Sequence, residues 1–134
     1  MRLSGFHHAK VPVSDVGRSL EWYQRVLGLE VALEFIEHGV LTGVALVDSG
    51  HTVQLALRAL PELARHMAGF DPIALAVPAE TDLEKWRDRL DELGETHSGI
   101  VAGHSGSVLV GLHDPDGIEI RLYSLEPNHH KEEQ

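Results

Sequence analysis

Two stretches far apart in the chain carry the same pattern, and this repetition constrains the fold more than any other feature. HTVQLAL, residues 51–57, alternates strictly, with Val53, Leu55 and Leu57 on one side and Thr52, Gln54 and Ala56 on the other. IEIRLYS, residues 118–124, sets Ile118, Ile120 and Leu122 against Glu119, Arg121 and Tyr123 in the same way. Side chains in a strand point alternately to opposite faces, so each stretch reads as a half-buried β-strand. Each follows a turn glycine, Gly50 or Gly117, and superposing these glycines sets Gln54 on Arg121.

The surroundings repeat as well. HHAKVPV (7–13) and PIALAVP (72–78) alternate as strands, with Ala9, Val11 and Val13 on one apolar side and Ile73, Leu75 and Val77 on the other. Setting Val13 on Val77 sets His8 on Pro72 and Trp22 on Trp86. The first strand leads into a helix capped by Ser14 or Asp15, with Leu20, Tyr23, Val26 and Leu27 on its apolar face and Gly28 at its end. The second leads into a helix capped by Thr81 or Asp82, with Leu83, Trp86, Leu90 and Leu93 on one face and Gly94 at its end. Strands over 29–36, 40–48 and 51–57 complete the first module, and strands over 95–102, 107–113 and 117–124 the second. Pro61 opens a short helix between them, within 60–69.

The element order is therefore βαβββ twice. The expected organisation is one domain, 1–126, made of module one (5–58), a linker helix (59–70) and module two (71–124). A flexible tail over 127–134 carries the His129–His130 pair. The expected fold is α+β, a curved, barrel-like mixed sheet with the helices outside and a concave face left for a ligand.

Composition removes several function classes. The chain has no Cys, which excludes disulfides, thiolate metal sites and cysteine nucleophiles. A net charge of −10 disfavours nucleic acid, whose backbone needs a basic footprint. MRLSGFHHAK has no apolar signal core, and VLTGVALV (40–47) is far too short to span a membrane, so a cytoplasmic protein is expected. The ten histidines are scattered, and most read as surface residues.

Alternation also defines what faces the ligand. The sides opposite the helices present His8, Lys10 and Pro12, Thr52, Gln54 and Ala56, Pro72, Ala74 and Ala76, and Glu119, Arg121 and Tyr123. Polar groups set among small residues suit a small-molecule site. His8, Lys10 and Arg121 favour an anionic or oxygen-rich ligand, with Arg121 as a bidentate donor and Gln54, His8 and Tyr123 orienting it. The competing reading is that Arg121 is neutralised by Glu119 or a nearby acid.

At this point the residues resemble a known family. His8, Val13, Asp15, Ser19, Trp22, Tyr23, Leu27 and Gly28, in the spacing H-x4-V-x-D-x3-S-x2-W-Y-x3-L-G, are similar to the first module of the vicinal oxygen chelate superfamily. So is the DPDG turn, Asp114–Gly117, before the last strand. That superfamily contains glyoxalase I, extradiol dioxygenases, and fosfomycin- and bleomycin-resistance proteins. The resemblance implies a homodimer and, in enzymatic members, a divalent metal on four side chains that map here onto His8, Gln54, Pro72 and Arg121. Pro72 has no donor and Arg121 is a permanent cation, so the resemblance implies a degenerate metal site and no cofactor. A slipped register that brings Glu119 or His113 to an ion is the alternative.

Three functions compete. One is a binding protein that sequesters a small anionic or oxygen-rich molecule. Another is a lyase or dioxygenase of the glyoxalase or extradiol type, with an atypical metal site or with His8 as a metal-free general base. A third is an accessory domain acting through its dimer surface.

Overall fold

A computed structural model of the chain describes residues 1–127; the tail expected to be flexible, with His129 and His130, lies almost wholly outside them. The chain divides into two compact units, 1–67 and 68–134. In the first, the order is β1 (Ala9–Val13), α1 (Val16–Leu27), β2 (Glu30–Glu37), β3 (Val40–Val47), β4 (Gln54–Ala59) and α2 (Pro61–Met67). In the second it is β5 (Ile73–Val77), α3 (Glu80–Leu93), β6 (Ile100–Ala102), β7 (Ser107–Leu109) and β8 (Ile120–Ser124).

The strands form two mixed four-stranded sheets, β1-β4-β3-β2 and β5-β8-β7-β6, and not one continuous barrel-like sheet. The physical reason is that each ladder is completed within its own module. The first strand pairs in parallel with the last, and the remaining pairs are antiparallel. β1 is thereby an edge strand, the place where the missing N–H of Pro12 is tolerated.

The helices form where the caps direct. The Asp15 side chain accepts from the Arg18 N–H at 3.1 Å, and Gly28 closes α1 in the left-handed conformation at φ 72°. The start of α3 differs from the expected Thr81 or Asp82 cap. Ala79 stands at the cap, and Asp82 sits one turn in, its carboxylate accepting the Ala79 N–H at 3.0 Å. An acid at that position closes the turn from the other side, which is why the residue looked like a cap.

In the first unit α1 covers a face built from Val11, Val13, Val44, Leu46, Leu55 and Leu57, all essentially without exposure. Tyr23, Val26 and Trp22 supply the helix side of that core. In the second unit Leu83 and Leu90 of α3 are fully buried with Leu109, Ile120 and Leu122. The alternation of β5 is weaker than expected, because Ile73 and Leu75 are only half-buried.

The last strand of each module begins later than its apolar run, because an aspartate holds the preceding turn. Asp48 accepts from the backbone N–H groups of Thr52 (2.7 Å) and Val53 (2.8 Å) and from the Thr52 hydroxyl (2.6 Å). Asp114 accepts from Asp116 (2.9 Å) and Ile118 (3.0 Å) N–H groups. Asx turns of this kind satisfy backbone donors that the ladder has not yet reached.

Gly43 in β3 is required by close approach. A Cβ there would stand 2.5 Å from the Leu57 carbonyl oxygen and 2.8 Å from Arg58 Cδ. Gly43→Ala should therefore lower the urea unfolding free energy by about 1–3 kcal/mol, the range for overpacking. Ser19 is buried, and its hydroxyl has no hydrogen-bond partner among the described residues. Ser19→Ala should leave the urea unfolding free energy unchanged or raise it by up to about 1 kcal/mol, because an unsatisfied buried hydroxyl is removed.

Candidate functional site

On the first unit, the side of the sheet opposite α1 is its open face. The regular β1/β4 and β3/β4 ladders place Lys10, Pro12, Gln54, Ala56 and Arg58 on it, together with Gly43, Ala45 and Val47 of β3. Leu33 and Phe35 of β2 continue it, because Leu33 pairs with Ala45 and Phe35 with Gly43. Lys10 pairs directly with Ala56, and His8 and Gln54 immediately precede the first pair of that ladder, Ala9 with Leu55. His8, Lys10 and Gln54 are exposed, whereas Pro12, Ala45 and Ala56 are buried. His8 Nδ1 lies 2.9 Å from His7 Nδ1, so one ring donates to the other.

The second unit's open face carries Ala74 and Ala76 of β5 beside Arg121 and Tyr123 of β8. Arg121 does not present a free guanidinium there. Its Nε donates to Glu119 Oε2 at 2.7 Å, and Nη1 lies 3.3 Å from Asp71 Oδ2. Glu119 also accepts the Gly111 N–H at 3.1 Å. Burial would push the Glu119 carboxyl up, but the hydrogen bond and charge of Arg121, with the Gly111 N–H, outweigh it and hold the group below its usual value. Arg121 is held charged in return, chiefly by its hydrogen bond to Glu119. Tyr123 is anchored at its hydroxyl, which accepts the His104 N–H at 2.9 Å.

Of the residues proposed from sequence, Lys10 and Gln54 lie on the first unit's open face with His8 just before β1, and Arg121 and Tyr123 lie on the second unit's, with Glu119 bound to Arg121. The ladders also revise the repeat. β1 pairs Ala9 with Leu55, and β5 pairs Ile73 with Ile120. Matched on these rows, Leu55 corresponds to Ile120 and Ala56 to Arg121, and one residue earlier Gln54 corresponds to Glu119, whose own N–H donates to the Phe70 carbonyl at 2.9 Å. Glu119 rather than Arg121 is therefore the ladder counterpart of Gln54, two residues from the correspondence that the glycines suggest. Both residues lie on the same face, so the shift changes their depth along the strand and not their side.

The donor set at His8, Gln54, Pro72 and Arg121 does not fit a divalent ion. Proline offers no side-chain donor, Arg121 is a cation already matched by two carboxylates, and Glu119 is engaged by Arg121 and Gly111. Among the described residues no group of three or more His, Asp or Glu is placed to hold a metal.

Three site features escaped the sequence reading. Asp71 precedes β5 and was legible only as a loop residue. Arg58 falls on the alternation of Gln54 and Ala56, a signal that extending the strand by one pair would have used. Gly43 interrupts an apolar strand, which marks a close backbone approach.

Comparison with known proteins agrees with this architecture. Residues 5–122 match the Glyoxalase/Bleomycin resistance protein/Dioxygenase superfamily, and the chain belongs to that family. It is 28% identical over 135 residues to the putative ring-cleaving dioxygenase MhqA of Bacillus subtilis (strain 168), covering 94% of this chain but 42% of MhqA. The chain thus spans less than half of that relative. A glyoxylase/bleomycin resistance protein/dioxygenase domain from Frankia sp. EAN1pec shares the fold with a TM-score of 0.74 at 21% identity, over 99% of this chain and all of that one (100%). The antibiotic binding protein TnmS3 from Streptomyces sp. CB03234 gives 0.72 at 21% identity, over 95% and 100%. No helix among the described residues is long and apolar enough to cross a membrane.

The Glu119 geometry fixes a pH dependence. Its folded pKa is depressed below 4.5, so its contribution is complete above the ordinary glutamate range and is lost as pH falls through the depressed value. Urea unfolding of the wild type should weaken below about pH 4.5. Glu119→Gln should be less stable at pH 7, with the gap to wild type closing toward pH 3, because acid removes from the wild type what the variant already lacks.

Proposed function

We propose that the chain binds a small organic molecule carrying an anionic or oxygen-rich group against the open face of its sheet, without a metal at the family positions. The observation that carries this reading is the set of exposed polar side chains on this face, Lys10 of β1 and Gln54 of β4, with exposed His8 just before β1. A lysine and an imidazole attract an anion, and the Gln54 amide offers both a donor and an acceptor to an oxygenated ligand. Glu119, Arg121 and Tyr123 shape the second face as a pre-paired polar surface. The antibiotic-binding role named for TnmS3 supports binding as the activity. A homodimer is part of this proposal, supported by the family resemblance and by the unpaired outer edge of β2.

A second reading, a lyase or dioxygenase, is favoured by the activity named for MhqA. His8, exposed at the entry to β1, would be its general base if no ion takes part.

Thermal melting separates the two. After treatment with a chelator, adding Mn, Fe, Co, Ni or Zn should leave the melting temperature unchanged, because a ligand of the folded state must stabilise it. A small organic acid at one hundred times its Kd should raise stability by about 2.7 kcal/mol, with loss of the shift in Lys10→Ala. A metal-induced shift, or chelator-sensitive turnover of a catechol or a hemithioacetal, would replace the binding reading with the enzymatic one.

A further inference from the structure

The cation that the sequence assigns to ligand recognition, Arg121, is matched by two carboxylates, and the first unit contains a different one in a different state. Arg58, near the end of β4, has its guanidinium carbon 4.7 Å from the centre of the Phe35 ring. Its Nη2 donates to Glu37 Oε1 at 2.8 Å, and the same oxygen accepts the Thr42 hydroxyl at 3.0 Å. Nε and Nη1 have no hydrogen-bond partner among the described residues. Gly43 makes the arrangement possible. Its missing side chain lets the Arg58 stem cross β3 to reach Phe35, and a Cβ would meet Arg58 Cδ at 2.8 Å and the Phe35 ring at 3.2 Å. The guanidinium is thus oriented by a ring on one side and a carboxylate at one corner, with its remaining donors unused.

Its surroundings restrict what those donors can take. Arg58 is in register with Pro12, diagonal to Lys10, and Lys10 forms no ion pair among the described residues. The floor beside them, Gly43, Ala45 and Ala56, is itself buried, with Ala45 4% and Ala56 6% exposed, so the accessible surface is that of the side chains around it. Leu33, 55% exposed, stands over that floor from β2. At the opposite end, Glu30 pairs with Val47 on the same face and repels an anion placed there. Exposed Leu33 and the Phe35 ring beside the Arg58 guanidinium, with an acid at the far end of the face, suit a planar aromatic molecule with a single anionic group.

We propose that Arg58 is the specificity-determining cation of this face, that Phe35 and Glu37 position it, and that its ligand is an aromatic carboxylate. The inference rests on the open-face binding reading above and assigns its ligand class. Phe35 and Glu37 hold the planar fork in the orientation that bidentate recognition needs, so less rotamer freedom is lost on binding. Arg121, already paired, contributes structure to the second unit rather than charge to a ligand.

The test uses the full chain, with 2-naphthoate and its neutral amide as probes in isothermal titration. Naphthoate should bind at least ten-fold more tightly than the amide. Arg58→Ala should weaken naphthoate at least ten-fold without changing the amide, and Arg58→Lys should fail to restore it because a point charge cannot reproduce the fork. Arg121→Ala should change naphthoate affinity less than three-fold. Amide-proton shifts in the wild type, which need no variant to fold, should move at Leu33, Ala45 and Ala56. Equal binding of acid and amide, or a larger loss with Arg121→Ala than with Arg58→Ala, would overturn the assignment while leaving open-face binding intact. Absence of binding by both probes, with no shifts on that face, would remove the assignment and the binding reading together.

Discussion

In each unit the first and last strands of a module, distant in sequence, lie side by side and parallel. A parallel pair cannot be closed by a tight turn, so a helix and two further strands must be passed before the ladder can form. Everything at the open faces follows from that pairing. It sets Lys10 beside Ala56 and Ala74 beside Arg121. The two aspartate-held turns, at Asp48 and Asp114, fix where the last strand enters the ladder and so fix the register. A slip of one residue would turn the apolar set of β4 or β8 away from its helix, which the fully buried Leu55, Leu57, Ile120 and Leu122 oppose.

The two open faces share a backbone plan and differ in how charge is handled. On the second, Arg121 is clamped by Glu119 and Asp71, and Glu119 is itself held by a backbone N–H. Two carboxylates thus balance the charge of the one guanidinium. On the first, Lys10 is exposed without an ion pair among the described residues, and Arg58 is held by Phe35 and Glu37 with part of its donor edge unused. The residue types are similar, and what separates them is the number of acids within reach. The positions that the resemblance assigns contain one imidazole, one amide, one residue without a donor and one cation, a set poor in metal donors, and the ladder counterpart Glu119 is engaged by Arg121 and Gly111.

Much of the scaffold was legible along the chain. Alternation identified the strands and their apolar sides, Gly28 and Gly94 marked the helix ends, and the repeat predicted two equivalent modules. Legibility declined where a contact depended on residues far apart in sequence. Asp71 and Arg121 are fifty residues apart and meet only because β5 pairs with β8. Arg58 reads as an ordinary charged residue until Gly43, on the neighbouring strand, is seen to leave the space it crosses. Ile73 and Leu75 carry the same alternation as Val11 and Val13 yet are less buried, since a period of two states which residues share a side and not how well that side is covered.

The sequence by itself determined the element types, the repeat, the family and the alternation that gives the first and last strand of each module its two sides, because these depend on periodicity and turn chemistry within a few residues. It also determined that Pro72 and Arg121 cannot act as metal donors, which is a property of the residues themselves. Only the tertiary structure decided the ladder register that matches Gln54 with Glu119, the division into two sheets and the neutralisation of Arg121. Those depend on which backbone groups pair across long stretches of chain, and pairing at that range is set by the packing of whole elements against one another.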